Sequence, residues 1–333
     1  MTRLLLALLA LALVATGCTG SSGGGGRIST SVDRQPGRAG CHGVTYDDVR
    51  GAKLDYGPKE LPTWPGSNTL CAAYWLAGAN HRFTPQGLAL DGDTVWVSGF
   101  RFDAQVGDRQ CVLLQVSKRT GKRITGVTPI EGAVEGRQPT YCRHGGGLAR
   151  TDEGLWVLET MRLWLLDPDL VGTGTDPVKR VWGIVKPLRG SSLVDADGQL
   201  GIGSFNFDGS RGDIEWFGID DLMQPGVVDI ASSSADRRTR GISWLQGGTQ
   251  TDHGLYLTQS NTRCGILRLP SGRRVAVAPG SEDLEFDPNG DLWTVAEAGA
   301  KIYQREGGRL LIPHLARYDA RALLRGPRPS CHL

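Results

Sequence analysis

The chain has 333 residues, of which 39% are hydrophobic and 22% are charged, and its formal net charge is +2. This length and composition are those of an ordinary globular protein with room for a sizeable core. A nearly neutral chain has no strong field toward nucleic acid or an anionic membrane surface, so we expect no nucleic-acid partner. The 48 glycines and 17 prolines favour a fold with many tight turns.

Residues 1–17 are predicted to be a lipoprotein signal peptide. Arg3 supplies a positive start, Leu4 to Ala15 is an apolar run too short to span a bilayer, and small residues precede Cys18. The segment resembles a bacterial lipobox, which implies lipid (diacylglyceryl and palmitate) on Cys18 and an anchor on the extracytoplasmic side of the cell membrane. The alternative is an ordinary signal peptide with an incidental cysteine. Residues 18–40 are Gly/Ser-rich at first and predict a flexible tether.

Six further cysteines predict disulfides, because either kind of signal peptide exports the chain to an oxidising compartment. They are Cys41, Cys71, Cys111, Cys142, Cys264 and Cys331. Six cysteines allow fifteen sets of pairs. We favour Cys41–Cys71, Cys111–Cys142 and Cys264–Cys331, the last of which would tie the C-terminus to an earlier part of the domain. No pair has C-x-x-C spacing, which argues against zinc and thioredoxin-like chemistry.

Five stretches of the chain share the pattern of one short hairpin. A polar or small residue leads into an apolar strand, a polar Asp/Gly turn follows, and a second strand has an aromatic residue near its start. The leading residues of the five stretches are Gln86, Gly146, Ser191, Gln246 and Glu282. In four of the stretches, the residue that directly follows the leading residue lies nine positions before the aromatic position of the second strand. These intervals are Gly87 to Trp96, Gly147 to Trp156, Ser192 to Gly201 (where glycine replaces the aromatic residue) and Gly247 to Tyr256. Such self-similarity indicates a repeat architecture.

The spacing of the repeats predicts a β-propeller over residues 41–333. Successive leading residues lie 60, 45, 55 and 36 positions apart, and a four-stranded antiparallel blade needs about 40–50 residues. No long amphipathic period is present, and one short helix is predicted at 319–325. Five blades are visible. A sixth, built from residues 41–84 and 307–333, would close the ring with strands from both chain ends; we favour six blades over five.

The repeats at residues 146–157 and 282–293 resemble blades of the six-bladed superfamily. This group includes the senescence marker protein-30/gluconolactonase family, strictosidine synthase-like proteins and NHL-repeat proteins. The resemblance covers roughly residues 84–318 and implies a site in the central channel. In the lactonase family, a Glu, two Asn and an Asp at the leading positions hold a divalent cation such as calcium. Only Glu282 matches directly, with Asp283 beside it, so the sequence predicts at most a weak metal site and no other cofactor.

The candidate site residues cluster at the start of the repeats. The predicted ligand-binding residues at the channel mouth are Gln86, Arg143, His144, Ser191, Gln246 and Glu282. His144, Glu282 and Asp283 are the candidate acid and base groups; alternatively, His144 binds a loop carbonyl. Strand-end residues on the same face are candidates for a polar pocket, although we favour solvated surface groups as their interpretation: Glu159, Glu297, Arg101, Arg162 and Gln259. Six tryptophans predict packing between blades: Trp96, Trp156, Trp164, Trp182, Trp216 and Trp293.

Two functions are compatible with this sequence. The first is an anchored, monomeric binding module that presents a propeller face to a small molecule, a glycan or an envelope protein. The second is a hydrolase of lactone or ester bonds with its active site in the channel. The chain has no Gly-x-Ser-x-Gly elbow, HExxH, P-loop or dinucleotide fingerprint. We favour the binding module on that ground, although propeller active sites are assembled from separate loops.

Overall fold

A computed structural model describes residues 41–103, 108–206, 208–305 and 309–333. The predicted signal peptide, Cys18 and the tether lie outside the described residues. Within the described part of the chain, none of the helices has the length and apolar character needed to cross a membrane.

The described residues form an almost entirely β structure. The first two strands, β1 and β2, are Arg50–Gly51 and Leu70–Trp75. The next four form the first blade as β3 to β6: Thr84–Asp91, Thr94–Asp103, Asp108–Ser117 and Arg123–Val127. A small ribbon, β7 and β8, follows at Glu131–Gly132 and Thr140–Tyr141. The second blade begins with β9 to β12: Gly147–Thr151, Gly154–Glu159, Arg162–Leu166 and Val178–Ile184.

The remaining strands form three more sheets and extend the second. The third blade contains β13, β14, β15 and β17: Ser192–Ala196, Gln199–Gly203, Ile214–Gly218 and Arg237–Thr239. The short strand β16, Asp229–Ile230, instead pairs with β12 at the outer edge of the second blade. The fourth blade contains β18 to β21: Leu245–Thr251, Gly254–Asn261, Cys264–Arg268 and Arg274–Ala276. Then come β22 to β24: Ser281–Phe286, Leu292–Ala296 and Leu315–Tyr318.

Helices are few and short in the described residues. The α-helices are α1 to α3: Ile219–Met223, Lys301–Gln304 and Ala320–Leu324. Four single 3-10 turns lie at Ser67–Thr69, Ala79–His81, Pro168–Leu170 and Ser232–Ser234. The helix predicted at 319–325 is α3, which is capped by Asp319 through a hydrogen bond that its carboxylate accepts from the Ala322 amide at 3.1 Å.

The ring of described strands contains five blades, so the prediction of six was wrong. The inner strands β3, β9, β13, β18 and β22 contact one another in succession, and β22 contacts β3 again to close the ring. The fifth blade has the order β22, β23, β24, β2 and β1. The two chain ends therefore do close the ring together, as predicted. They supply only the outer strands of the fifth blade, however, and the described residues contain no sixth four-stranded sheet.

The five predicted hairpins are the inner strand pairs of the five blades, and their register is the same. In each pair, the aromatic position of the second strand lies opposite the third residue after the leading residue. These cross-strand pairs are Ala89 and Trp96, Ala149 and Trp156, Val194 and Gly201, Thr249 and Tyr256, and Glu285 and Trp293. The six tryptophans expected between blades are all fully buried. Three of their indoles donate to the polar turn residue that ends the inner strand, namely Asp91, Thr151 and Asp287. This bond explains why a polar residue recurs at that place.

Glycines after the leading residues allow the inner strands to pack closely around the channel. A Cβ atom on Gly147 would lie 2.5 Å from the Leu193 amide nitrogen, and one on Gly247 would lie 2.3 Å from the Glu282 carbonyl oxygen. Both contacts are with the backbone of the next blade. A side chain at either position would therefore push two blades apart.

Three disulfides reinforce the ring. They join Cys41 to Cys71, Cys111 to Cys142 and Cys264 to Cys331, and these are the pairs favoured in the sequence analysis. The second runs from the first blade to the segment that leads into the second blade. It thereby fixes the backbone directly before Arg143 and His144.

Candidate functional site

The leading residues gather at one end of the ring, the leading face, where inner strands begin and their partner strands end. Three inner strands shift register at the leading residue: β3 at Gln86, β18 at Gln246 and β22 at Glu282. Such β-bulges redirect a side chain and are common next to active sites. The other two leading residues, Gly146 and Ser191, lie just before β9 and β13. The bulges are therefore a second reason to place a site at this end of the channel.

A pair of buried carboxyl groups lies at the leading face. Glu282 begins the fifth blade and Glu297 follows β23, and the hairpin brings them together because Ser281 lies opposite Ala296. Their side chains are in hydrogen-bonding contact. The residues are only 3% and 9% exposed.

Glu297 has further partners from two directions. The Gln86 side-chain amide and the Tyr303 hydroxyl each donate to Glu297 Oε2, at 2.9 Å. Gln86 comes from the first blade and Tyr303 from α2. Glu282 Oε1, by contrast, is buried and has no hydrogen-bond partner among the described residues.

The two carboxyl groups of this pair differ in pKa. Burial raises the pKa of Glu282 well above its ordinary value, and the neighbouring Glu297 and Asp283 raise it further. Burial also raises the pKa of Glu297, but only to about 7, because Tyr303, Gln86 and the Arg109 charge favour its ionised form. Two carboxyls in contact cannot both ionise readily. Of the two, Glu282 therefore keeps its proton to higher pH, and Glu297 is the group that ionises first, as pH rises through about 7.

Asp283 is engaged in a different way. Its carboxylate accepts hydrogen bonds from the amides of Leu88 at 3.0 Å and Leu284 at 2.9 Å, and from the Gly248 amide. These amides belong to β3, β22 and β18, the inner strands of three successive blades. Asp283 thus links the fifth blade to the blades on both sides of it, so its role in this structure is to hold the inner strands together.

A cavity of about 420 Å³ opens at the leading face between the first three blades. It is lined by side chains from separate segments, among them Arg109, Arg143, His144, Glu159, Arg189 and Ser191. Arg143, His144 and Ser191 are three of the six ligand-binding residues predicted from the sequence, and the ring brings them together. Gln246 lies apart from them, with its side-chain amide donating to the Ser260 carbonyl at 3.2 Å.

Hydrogen bonds and ion pairs hold the floor of this cavity. Glu159 is 2% exposed, accepts from the Arg143 amide at 2.9 Å, and forms an ion pair with Arg162. The side chain of Arg143 lies 3.3 Å from Asp108. Of the strand-end candidates, Glu159 lines this cavity and Arg162 is joined to it by the ion pair. Arg101 lines a separate, mostly apolar cavity, and the Gln259 side-chain amide donates to Ser243.

His144 is a neutral member of the cavity wall. Its ring stacks on Phe100 at 5.0 Å between centroids. Burial, together with the nearby Arg109 charge, lowers the pKa of His144 to about 4. Within the described part of the chain, no hydrogen bond or ion pair joins His144 to Glu282 or Asp283. The positive charge of Arg109 contributes to a lower pKa for both His144 and Glu297.

Sequence reasoning missed Tyr303, Arg109 and Arg189. Tyr303 lies six residues after Glu297 in the short helix α2, and the sequence there has no repeat pattern that would single it out. Arg189 could have been found from the sequence, because a basic residue comes just before the leading residue in two blades. Arg189 lies two residues before Ser191, and Arg143 lies three residues before Gly146. A basic residue just before the leading residue of consecutive blades indicates a shared charged surface.

The described residues contain no group of three or more His, Cys, Asp or Glu side chains arranged to hold a metal ion. The Glu282–Glu297 pair is hydrogen-bonded by an amide and a hydroxyl, from Gln86 and Tyr303, and the nearby Asp283 carboxylate accepts from backbone amides instead. Calcium generally takes six to eight oxygens and several carboxylates. The set at the leading face therefore does not resemble a complete calcium site.

Comparisons with known proteins show similarity to propeller-containing structures at low identity. The chain is similar to glutaminyl cyclase from Myxococcus xanthus, at 11% identity over 71% of this chain and 90% of that chain, with a TM-score of 0.43. It is similar to regucalcin, a calcium-binding protein from Agrobacterium tumefaciens, at 12% identity over 71% and 90%, with a TM-score of 0.41. A glucose dehydrogenase-type putative oxidoreductase from Thermus thermophilus gives 12% identity over 71% and 84%, with a TM-score of 0.37. No protein-family model and no curated protein matches the sequence. At such low identities the similarity concerns the fold alone.

Proposed function

We propose that this protein is an exported, lipid-anchored propeller that binds a small ligand at the leading face. The cavity of about 420 Å³ carries the proposal. Ligand sites are commonly clefts of about 300–1,000 Å³ with a few convergent polar groups. Here the polar groups come from three blades, so the cavity exists only in the assembled ring.

A bulky residue in the cavity should abolish ligand binding without unfolding the protein. Ser191→Trp would fill the cavity, whereas Ser271→Trp adds the same bulk to an exposed turn of the fourth blade. The measurement is a thermal-shift screen of small metabolites and sugars on both variants and the wild type. We expect compounds that stabilise the wild type and Ser271→Trp but have no effect on Ser191→Trp. Equal stabilisation of all three proteins would show that the cavity is not the site.

The anchor rests on the lipobox-like segment before Cys18, and three disulfides support an oxidising compartment. Cys18→Ala removes the sulfur to which the diacylglyceryl group would be attached, so the variant should appear in the soluble fraction while the wild type stays with membranes. Thr19→Ala is the matched control and should remain membrane-bound. Fractionation of the cell envelope followed by immunoblotting measures this. Membrane retention of Cys18→Ala would rule out the lipid anchor.

The second candidate is a hydrolase of ester or lactone bonds, and the Glu282–Glu297 pair favours it. A protonated carboxyl beside an ionised one provides an acid and a base in one site. In this role Glu297 would accept a proton from the attacking water, and Glu282 would protonate the leaving oxygen. Turnover of an aryl ester or an aldonolactone that is lost in Glu297→Gln would support it. A wild-type protein without turnover of either substrate would leave binding as the function.

A further inference from the structure

Three arginines from three different blades line the leading-face cavity. Arg109 lies at the start of β5 in the first blade, Arg143 lies before β9 of the second, and Arg189 lies before β13 of the third. No two of them belong to the same segment. They line one cavity because the ring brings the three segments together, and like charges therefore share that cavity.

The acidic groups of the cavity do not neutralise this charge. Asp108 lies beside Arg143, and Glu159 is paired with Arg162, which lies next to the cavity. Neither Arg109 nor Arg189 forms an ion pair with any residue that the structure describes. His144 adds no positive charge near neutral pH, because its pKa is lowered to about 4. The cavity therefore contains two guanidinium groups that no described carboxylate pairs with directly, although the Arg109 charge helps lower the pKa of Asp108 and Glu297 from a distance.

One of these guanidinium groups is held in place by an aromatic stack. The Arg109 guanidinium carbon lies 4.5 Å from the Phe100 ring centroid, and the ring of His144 stacks on Phe100 as well. A cation–π contact of this kind fixes a guanidinium group without using its N–H donors. Arg109 thus keeps its planar set of donors for a ligand. Such a set matches the two oxygens of a carboxylate or a phosphate.

We propose that the ligand of this cavity is a small organic anion whose carboxylate or phosphate group binds between Arg109 and Arg189. The inference rests on the proposed ligand-binding function and names its ligand class. An anion would supply the direct ion-pair partner that these two arginines lack among the described residues, and bidentate hydrogen bonds to Arg109 would orient it. Phe205, which lines the same cavity, contributes apolar surface that suits an anion with a flat body.

The test uses benzoate, inorganic phosphate and the neutral analogue benzamide as probes of the full chain carrying Cys18→Ala. Titration calorimetry at low salt should show binding of benzoate, phosphate or both, and none of benzamide. Arg189→Gln should weaken anion binding about tenfold, which is about 1.4 kcal/mol, because it removes one charge-assisted hydrogen-bond donor. Arg263→Gln removes the same charge from another turn of the leading face and should leave the affinity unchanged.

The three probes and two variants distinguish a carboxylate ligand, a phosphate ligand and the absence of an anion site. Benzoate binding alone assigns a carboxylate ligand, phosphate binding alone assigns a phosphate ligand, and both support the proposal. The proposal is wrong if neither anion binds the wild type, or if Arg189→Gln and Arg263→Gln bind alike. If neutral compounds bind in the Ser191-sensitive cavity while anions do not, the ligand-binding function stands and only the anionic class fails.

Discussion

Replacing Asp283 with alanine is expected to lower the free energy of unfolding by roughly 2–5 kcal/mol, because it leaves at least two buried amides without acceptors. Each inner strand has a ladder neighbour on one side only, so its channel edge carries unpaired N–H groups. Asp283 accepts from Leu88 of β3 at 3.0 Å and from Leu284 of β22 at 2.9 Å. These bonds cross the boundary where the fifth blade meets the first, which is where the ring closes.

Urea unfolding of three variants measures this effect. Asp48→Ala is the matched control, because the Asp48 carboxylate also accepts a backbone amide, that of Thr45 at 3.0 Å, but on the exposed surface. Asp283→Asn keeps one carbonyl acceptor and should lose less stability than Asp283→Ala. If Asp283→Ala unfolds at the same urea concentration as Asp48→Ala, the carboxylate does not hold the ring together.

The blades could be read from the sequence because their register depends on local residues. The nine-residue interval from Gly147 to Trp156 is a hairpin with one turn, and its indole bond to Thr151 recurs as Trp96 to Asp91. The blade number depends instead on which strand pairs with β24. That partner is β2, more than 200 residues earlier in the chain, and no local pattern specifies such a pairing.

The site was predictable where one hairpin creates it and unpredictable where several blades do. Glu282 and Glu297 belong to one hairpin, and both were singled out in the sequence, although not as a pair. Arg109 and Arg189 meet only across blades, so no spacing in the chain connects them. Asp283 illustrates a further limit. Its acidic side chain suggested chemistry, yet its orientation toward the neighbouring inner strands gives it a structural task.

The buried carboxyls also determine how stability should change with pH. Burial raises the pKa of Glu285 to about 8 and that of Glu297 to about 7, whereas the pKa of a glutamate in an unfolded chain is about 4.3. The folded chain thus holds protons that the unfolded chain has released. Stability from these groups is fully present below about pH 4 and is lost as pH rises through 7 to 8. His144 and His314 act oppositely, because burial lowers the pKa of each to about 4, so their contribution is lost as pH falls below about 6.5.

Between about pH 6.5 and pH 8 only the carboxyl contribution changes, so the free energy of unfolding should fall across this interval. The expected slope is about 1.4 kcal/mol per pH unit for each carboxyl that stays protonated in the folded chain. Urea unfolding at several pH values measures it. Glu285→Gln removes one of these groups and should flatten the curve, because glutamine has no proton to release. Glu60→Gln changes an exposed glutamate and should leave the slope unchanged. A stability that stays level or rises over this interval would mean that Glu285 and Glu297 are ionised in the folded ring, and their buried charges would then need partners beyond the Leu90 amide, Gln86 and Tyr303.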